Sequence, residues 1–414
     1  MLHIIILKEA CLRMSLSKGL RTLLVMNVVS NIVFIYVAIF INLYIWEQGQ
    51  NIFDVSWYNM MLLLAWGIAY SIATRMLSRW SIRLLMSLSA SFGAIAFLLL
   101  SLLELDNRLL WITLIGIPVG MMQGIFSTAH NLSITVLGQD KEIGHYLAIT
   151  NIMGQILNMS IPLITSQIIK WFEYGGSFVL MLIFIMMMLM LSLRLPPISL
   201  QNHVTKETIK PRVSFSNIFQ FPQAKWFLIS CLTTGIILQF QNLFALLFTF
   251  SVTSDKTMIA LLNTCYTTFA LLALWAYRKF KVKESMWLVI SVVFLGCGLL
   301  LMLIPLPVVR ITSNIVTTIG MFYFLTIVVS QQLKMTAGSL DIVKRSHMLV
   351  WREWMYVVSR VFMLLFMMRI TNFTDPLFIG LAIFVVLCLL TISYIQGKLM
   401  ARTQDASVQM SSNG

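Results

Sequence analysis

Residues 346–370 read SHMLVWREWMYVVSRVFMLLFMMRI, and they constrain how the rest of the chain must fold. The segment is long and apolar enough to cross a bilayer, because about 20 apolar residues rising about 1.5 Å each span a hydrocarbon core of about 30 Å. It nevertheless carries Arg352, Glu353 and Arg360. A charge at that depth costs at least about 2.5 kcal/mol, so these side chains are expected to face protein or water and not lipid. The remaining chain must therefore build an interior for them.

The composition places the chain among polytopic membrane proteins. Its 414 residues are 59% hydrophobic and only 11% charged, whereas a soluble protein of this size needs far more polar surface. The five cysteines are an odd number and predict no disulfide framework. Residues 1–21 lack a sustained apolar core and a small-residue cleavage site, so no removable signal is expected and the first span serves as the targeting element.

Apolar runs of spanning length predict twelve transmembrane helices. Their approximate bounds are 22–46, 57–76, 82–104, 108–137, 145–169, 176–194, 225–252, 257–277, 285–304, 308–333, 346–370 and 375–397. The longest polar segment between them contains four prolines and separates two sets of six, which form a candidate internal repeat at the level of hydropathy. The predicted organisation is a cytoplasmic N-terminal segment 1–21, a six-helix bundle 22–194, a cytoplasmic linker 195–224, a second six-helix bundle 225–397 and a cytoplasmic tail 398–414.

The distribution of basic residues predicts the orientation. With the N-terminus in the cytoplasm, 22 of the 29 lysines and arginines fall in cytoplasmic segments, five in outer loops and two in the eleventh span. Only Lys and Arg bias orients spans, so both termini are predicted to be cytoplasmic. The net charge of +14 is then a consequence of topology, and nucleic acid is not expected as a partner.

Polar residues are distributed unevenly among the spans. The sixth and twelfth have almost none, and away from their ends the third and ninth offer only Ser, Gly and Cys. A helix that is apolar on every side faces lipid, whereas one with a polar stripe faces a cavity or a partner. Every third span is therefore predicted to be peripheral. The predicted fold is all-α, with two six-helix bundles around a central cavity.

Amides recur at helical spacing on the other spans, so that several share one face. They form the candidate substrate-binding set Asn27 and Asn31 in the first span, Gln123, Ser127, His130 and Asn131 in the fourth, Asn151, Gln155 and Asn158 in the fifth, and Gln239 and Asn242 in the seventh. Each amide alone is open to a second interpretation, a hydrogen bond from helix to helix. The stripes in the fourth and fifth spans favour a cavity, because packing alone rarely needs three or four amides in line.

Two other features of the fourth span carry predictions. His130 is either a neutral packing residue or a titrating group in a proton relay, and no second His or Cys stands near it at metal-ligand spacing. No metal and no cofactor are expected. Gly116, Gly120 and Gly124 form a ridge of small residues along which another helix is expected to approach closely.

The eleventh span is interpreted in two parts. Trp351 and Trp354 bracket Arg352 and Glu353 and favour a position near the cytoplasmic interface, where Arg352 would snorkel. Arg360 lies about 10 Å deeper and needs an acidic partner, a set of carbonyls or an anionic ligand. Two hypotheses stay open for it. One is a structural contact with Glu353, seven residues away on the same face, and the other is ligand binding together with Tyr356, which lies between them.

From residue 22 to residue 398 the chain resembles the major facilitator superfamily, in its six-plus-six spans, its basic central loop and its nearly apolar third, sixth, ninth and twelfth spans. In that family the loop after the second span carries a Gly, an Asp and several basic residues. Here Gly67, Arg75, Arg79 and Arg83 occupy that region and the Asp is absent. The segment NLYIWEQGQNIFDVSWYNM, the HN pair of the fourth span and the WREW and SR of the eleventh are similar to a group of little-characterised bacterial permeases.

This resemblance implies alternating access, in which two bundles rock about a site near the midplane. Arg75, Arg79 and Arg83 are then candidates for gating, and Arg352 and Glu353 for gating or coupling, with Glu353 as the candidate proton carrier. No G-x-x-x-x-G-K-[ST] motif occurs, so a secondary carrier is favoured over an ATP-driven one.

The expected function is secondary transport of a small organic solute across the bacterial cytoplasmic membrane by a monomer. Arg352 or Arg360 favours an anionic or zwitterionic substrate. Proton coupling is left open, and efflux and uptake are not distinguished. A membrane enzyme would need His, Asp or Glu clustered at one face, and the sequence offers no such cluster. A transporter-like protein without transport activity, acting as a sensor or assembly partner, stays open because the loop Asp is absent and acids within spans are scarce.

Overall fold

Helices make up nearly all of the chain that the structure describes, as a membrane interior requires, because a helix satisfies its backbone polar groups internally. The computed structural model describes residues 17–76, 80–102, 106–137, 140–196, 224–280, 282–337 and 342–412. The helices are α1 Lys18–Tyr36, α2 Asn42–Gly49, α3 Ile52–Met76, α4 Ile82–Leu102, α5 Arg108–Leu137, α6 Asp140–Arg194, α7 Ala224–Val252, α8 Lys256–Lys279, α9 Glu284–Leu301, α10 Pro307–Ala337, α11 Ile342–Met367 and α12 Pro376–Ser412.

The first predicted span is a composite of α1, a π-helical turn and α2. Ser17 caps α1 by accepting a hydrogen bond from the backbone N–H of Leu20 at 3.5 Å. The π turn covers Val37–Ile41, and the side-chain amide of Asn42 donates to the carbonyl of Ala38 at 2.9 Å. Turns of this type leave the regular hydrogen-bond ladder, and they are frequent at functional sites.

Helix α6 contains the fifth and sixth predicted spans. Glu173 interrupts it with φ 56° and ψ −170°. Before the interruption, Gln167 lies near Thr257 at the beginning of α8. After it, Ser192 hydrogen-bonds Ser87 at the beginning of α4. The chain therefore turns back at Glu173. Hereafter the inner end is the side where α1 begins, and the outer end is the side where α2 ends.

Ten helices in the described part of the chain are long and apolar enough to cross a membrane. One of the ten runs from His145 to Arg194 and includes the turn at Glu173. Helix α11, which contains Arg352, Glu353 and Arg360, is not among them. The chain is thus a multi-pass membrane protein, and the number twelve stays a prediction.

The helices pack as two similar sets. In the first, α3 and α4 both pack against α5, and α1 packs against α6. In the second, α8 and α9 both pack against α10, and α7 packs against α11 and α12. The sets meet where α3 packs against α11 and where α6 packs against α8. This pattern places the charged eleventh span at the junction of the two sets, and not at the periphery.

The glycine ridge of α5 allows the closest of these helix contacts. A Cβ on Gly124 would lie 2.5 Å from the carbonyl oxygen of Trp66, and one on Gly120 would collide with the backbone of Leu62 and lie 2.8 Å from the Cβ of Ala65. The predicted close approach is confirmed, with α3 as the partner helix. Small residues let membrane helices gain dispersion energy where no hydrophobic driving force separates helix from lipid.

The predicted peripheral spans carry large exposed apolar side chains, as expected for surfaces that face lipid. Examples are Ile95 in α4, Ile183 in the second part of α6, Val289 in α9 and Leu387 in α12. The interior is filled by large side chains such as Phe240, which is fully buried.

The predicted domain bounds are only partly accessible to comparison. Residues 1–16 and 197–223, which contain most of the predicted N-terminal segment and linker, lie outside the described residues. At the other end, α12 continues as a helix to Ser412, through the region predicted to be a tail from residue 398.

Candidate functional site

A cavity of about 580 Å³ lies between the two helix sets, and it extends from the middle of the bundle toward the outer end. Its volume is that of a pocket for a small organic molecule. All of its lining residues belong to α1, α2, α3, α5, α6, α7, α8, α10 and α11 or to the π turn after α1. The four spans predicted to be peripheral contribute none of them, as the polar pattern predicts.

Arg360 is the charged residue among the side chains that line the cavity in the described chain. Its Nε donates to Oε1 of Gln239 at 2.9 Å, so α7 holds the guanidinium in place from the neighbouring helix. Gly235, one turn earlier in α7, leaves room for Ser359 and so brings α7 and α11 together at this depth. Because Gln239 is neutral, Arg360 has no ion-pair partner among the described residues, and Glu353 acts on it only from a longer distance.

Several lining amides are occupied by contacts within their own helix set. The Nδ2 of Asn59 donates to Oδ1 of Asn42 at 2.8 Å, which joins α3 to α2. The Nε2 of Gln241 donates to Thr317 at 2.6 Å, while its Oε1 is buried with no partner among the described residues. These amides hold helices together beside the cavity.

Other lining amides are free. The side-chain amides of Gln123, Asn158, Asn242 and Asn263 line the cavity and have no hydrogen-bond partner among the residues that the structure describes. They come from α5, α6, α7 and α8, that is, from both sets. Polar groups that water or a ligand can reach need no protein partner. These four amides and the guanidinium present polar groups without a protein partner to the cavity.

The sequence-predicted binding residues divide by depth. Gln123, Asn158, Gln239, Asn242 and Arg360 line the cavity. The rest lie nearer the inner end and are not among its lining residues, namely Asn27, Asn31, Ser127, His130, Asn131, Asn151, Gln155 and Tyr356. The reason is the rise of the helix, since His130 lies about 10 Å deeper than Gln123 and Asn151 about 10 Å deeper than Asn158. These positions stay predictions for the inner part of a path.

His130 belongs to a hydrogen-bonded chain within the first helix set. Its Nε2 lies 3.1 Å from Nδ2 of Asn27 and 2.8 Å from the hydroxyl of Tyr146, and Asn31 donates to Oδ1 of Asn27 at 2.9 Å. The ring also stacks on Phe126 with centroids 5.5 Å apart. The contacts fit a packing histidine, and they also join α1, α5 and α6 below the cavity. The described residues form no cluster of metal ligands.

Of the two hypotheses for Arg360, the structural contact with Glu353 is wrong, since the two side chains form no ion pair. Glu353 instead pairs with its sequence neighbour Arg352, whose Nη2 lies 2.6 Å from Oε1. Arg352 does not snorkel either, because only 18% of its side chain is exposed. The long Arg352 side chain reaches the Glu353 carboxylate directly. Arg360 instead donates a hydrogen bond to Gln239. Tyr356 lies on the same helix and donates to Oε1 of Gln332 at 2.6 Å.

The predicted gating arginines lie at the inner end, and the structure describes two of them. Arg75 is exposed near the end of α3 and Arg83 is half-buried near the start of α4. Arg79 lies outside the described residues.

Sequence reasoning missed Asn59 and Asn263, which line the cavity from α3 and α8. Each is an isolated amide in its part of an otherwise apolar span, so a search for amide stripes passes over it. The sequence does contain a signal for them. An amide that faced lipid would be costly to bury, so even a single amide in a membrane span indicates a side of the helix that faces the protein interior.

Contacts join the two sets on both sides of the cavity. At the outer end Nζ of Lys256 lies 3.6 Å from the carboxylate of Glu47, and Trp46 packs against Phe250 with centroids 6.4 Å apart. At the inner end Nε1 of Trp354 donates to Ser71 at 2.7 Å. The same crossing brings Val357 against Gly67, where a Cβ would lie 3.1 Å from the valine.

Comparisons with known proteins agree with this architecture. The sequence model described as Major Facilitator Superfamily matches residues 23–340. Among curated proteins, none matches the sequence.

Solved structures with a similar fold include three transport proteins. A POT family transporter in complex with a thioalcohol-conjugated peptide is 12% identical with a TM-score of 0.73, covering 92% of this chain and 96% of that one. The nucleoside transporter NupG is 13% identical with a TM-score of 0.66 and covers 93% and 99%. A bacterial homologue of the iron transporter ferroportin, in an inward-facing state, is 11% identical with a TM-score of 0.67 and covers 93% and 99%. At these identities the likeness is one of fold.

Proposed function

The chain belongs to the major facilitator superfamily and is a membrane transporter, and from that premise we propose that it moves a small organic solute by alternating access as a secondary carrier. We further propose that it resides in the bacterial cytoplasmic membrane, with both termini in the cytoplasm, because Lys and Arg concentrate at the inner end.

The observation that carries this proposal is the position of the cavity. It lies between two similarly packed helix sets, and side chains from both sets line it. In a carrier of this design the substrate site sits at the interface of the repeats, and the repeats rock around it. A cavity inside one set would not change its access when the sets move.

The polar residues below the cavity support a continuous path. Asn131 and Asn151 are exposed although they lie toward the inner half of α5 and α6. The Asn131 side chain hydrogen-bonds Tyr70. Asn151 has no hydrogen-bond partner among the described residues, so its exposed amide needs water or a solute, since lipid offers none. We interpret them as the lining of the path when the inner ends separate.

Proton coupling is proposed through Glu353. It is buried, with 9% of its surface exposed, and its ion pair with Arg352 lies on α11, which packs against both α3 and α7. A carboxylate at the junction of the two sets can exchange its cationic partner for a proton when the helices move.

The test is transport into proteoliposomes by the purified full-length protein. A panel of solutes is first ranked by thermal stabilisation of the protein, since a ligand that binds the folded state raises Tm by mass action. Radiolabelled forms of the stabilising solutes are then assayed with and without an imposed pH gradient.

We expect saturable uptake that Glu353→Gln makes independent of the pH gradient. Binding without movement of any stabilising solute would contradict the transport proposal. Unchanged dependence on the gradient in Glu353→Gln would contradict the coupling role alone.

A further inference from the structure

We propose that the substrate is an organic monocarboxylate with hydrogen-bonding groups on its body, bound with its carboxylate on Arg360. This inference rests on the proposed transport function, and it specifies the substrate class of the same cavity. The sequence alone leaves both anionic and zwitterionic substrates open. The present inference excludes zwitterions as the preferred class.

The first argument is the state of the Arg360 nitrogens. Gln239 takes only Nε, at 2.9 Å. The two Nη groups have no partner among the described residues, and they are not among the buried atoms that lack one, so they are accessible from the cavity. A guanidinium presents its donors as a planar fork that matches a carboxylate in two parallel hydrogen bonds. The free side of Arg360 has that geometry available.

The second argument is charge balance. No acidic side chain occurs among the lining residues of the described cavity. The nearby acid of the same helix, Glu353, is paired with Arg352. Lys256 and Glu47 likewise pair with each other at the outer end. Glu353 attracts Arg360 only from beyond ion-pair distance, so the guanidinium has no ion-pair partner among the described residues. The three charges of this part of α11 sum to +1, and one negative charge on a ligand neutralises it.

The same balance argues against other charge types. An ammonium group would find amide oxygens but no carboxylate, so a zwitterion would leave a buried cation without a counter-ion. A dianion would leave a net negative charge in the interior. A neutral solute would leave Arg360 uncompensated.

The third argument concerns the body of the ligand. The free amides of Gln123, Asn158, Asn242 and Asn263 surround the cavity from both sets, and each offers donors and an acceptor. The wall formed by α1 and its π turn is apolar, with Phe34 and Ile39 among its residues. A solute with hydroxyl or carbonyl groups and one apolar face satisfies both sides.

The experiment uses two matched series of small compounds with the purified full-length protein. One series is benzoate, benzamide, benzylamine and phthalate, and the other is gluconate, glucose, glucosamine and glucarate. Each is added at about 10 mM, with sodium chloride at equal ionic strength as the reference, and Tm is measured. We expect the monocarboxylate of at least one series to raise Tm by about 2 °C or more, and more than its neutral, cationic and dianionic counterparts do.

Variants at one helix supply the control. Arg360→Gln should weaken binding of the stabilising carboxylate by at least about tenfold, because a charge-assisted pair of hydrogen bonds is lost. Arg360→Lys keeps the positive charge but not the planar guanidinium, and it should bind the carboxylate with intermediate affinity. This variant replaces Arg360→Gln in the test if the glutamine variant does not fold. Arg369→Gln changes an exposed arginine beyond the end of the same helix and should bind as the wild type does.

The outcomes separate this inference from the transport proposal. Three results would each overturn the monocarboxylate assignment. They are a larger Tm rise with the neutral, cationic or dianionic compound, no rise with either monocarboxylate, and an unchanged affinity in Arg360→Gln. A carboxylate that binds through Arg360 but is not taken up by proteoliposomes leaves the assignment standing and overturns transport.

Discussion

Arg352 and Arg360 lie on one helix and find different kinds of partner. Arg352 pairs with an acid beside it in sequence, while Arg360 is held by the amide of Gln239. A neutral partner positions a guanidinium without cancelling its charge, whereas an acidic partner does both. The contacts of the first arginine fit the structural or gating role proposed for it, and those of the second fit the proposed binding of an anion.

The Arg352–Glu353 pair should behave as one unit toward stability. Only 18% and 12% of the two side chains are exposed, so removing either partner leaves the other charge in the interior. We expect Arg352→Gln and Glu353→Gln each to lower stability by about 1 to 3 kcal/mol. The double variant should melt no lower than the worse single variant, because neither charge is then stranded. Thermal melting of all four proteins in one detergent measures this, and strictly additive losses would contradict the pairing.

At this scale the sequence predicts burial better than it predicts partners. The apolar surroundings of Arg360 are enough to place its charge in the interior, but the choice between Glu353 and Gln239 depends on how α7 lies against α11. Seven-residue spacing brings two Cβ atoms to one face, yet a long adjacent side chain can reach the carboxylate first, as Arg352 does. Isolated amides such as Asn263 need the assembled cavity before their role becomes visible.

Among the helices, α5 shows most directly how sequence spacing becomes packing. Its glycines recur every four residues and meet the backbone of α3 along one line. The sequence does not identify the partner helix, because a ridge of small residues predicts only that another helix packs closely there. Hydropathy located the ends of most spans to within a few residues, but it gave no sign of the π turn at Val37–Ile41 or of the turn at Glu173. Both depend on local backbone geometry inside continuous apolar runs.

The ridge supplies a matched pair of glycine substitutions. Gly120→Ala should destabilise the protein by about 1 to 3 kcal/mol, because its Cβ would collide with the backbone of Leu62 and force α3 away. Gly154→Ala in α6 should be neutral or stabilising by up to about 1 kcal/mol, because no atom lies within 4 Å of its Cβ position and alanine favours the helix. Thermal melting of both variants tests the difference. Equal effects at the two positions would show that α3 and α5 are not in close contact.

For the molecule as a whole, the arrangement of contacts fits the proposed rocking of the two sets. The sets touch at the outer end through Glu47 and Lys256 and at the inner end through Ser71 and Trp354, with the cavity between. The Glu47–Lys256 pair is partly exposed, at 29% and 28% of the two side chains, and a pair near the surface contributes about 1 kcal/mol or less. The Trp354–Ser71 hydrogen bond contributes a comparable amount. Such contacts can open and close during a transport cycle, whereas the glycine ridge within one set cannot.

If the sets rock, tying their outer ends together must stop transport. We expect this of Glu47→Cys with Lys256→Cys, in a background whose native cysteines are replaced, once a short cleavable bifunctional thiol reagent joins the two positions. Uptake of the solute identified by thermal stabilisation should fall to background and return when the linker is cut. The matched control joins Asp54→Cys to Arg108→Cys, positions that form an ion pair at the same end but within the first set.

The control separates rigid-body motion from damage caused by the reagent. A link inside one set leaves the relative position of the two sets free, so uptake should continue. If both links abolish uptake, the outer end deforms as a whole during transport. If neither does, the Glu47–Lys256 contact does not open in the cycle, and access to the cavity changes at the inner end alone.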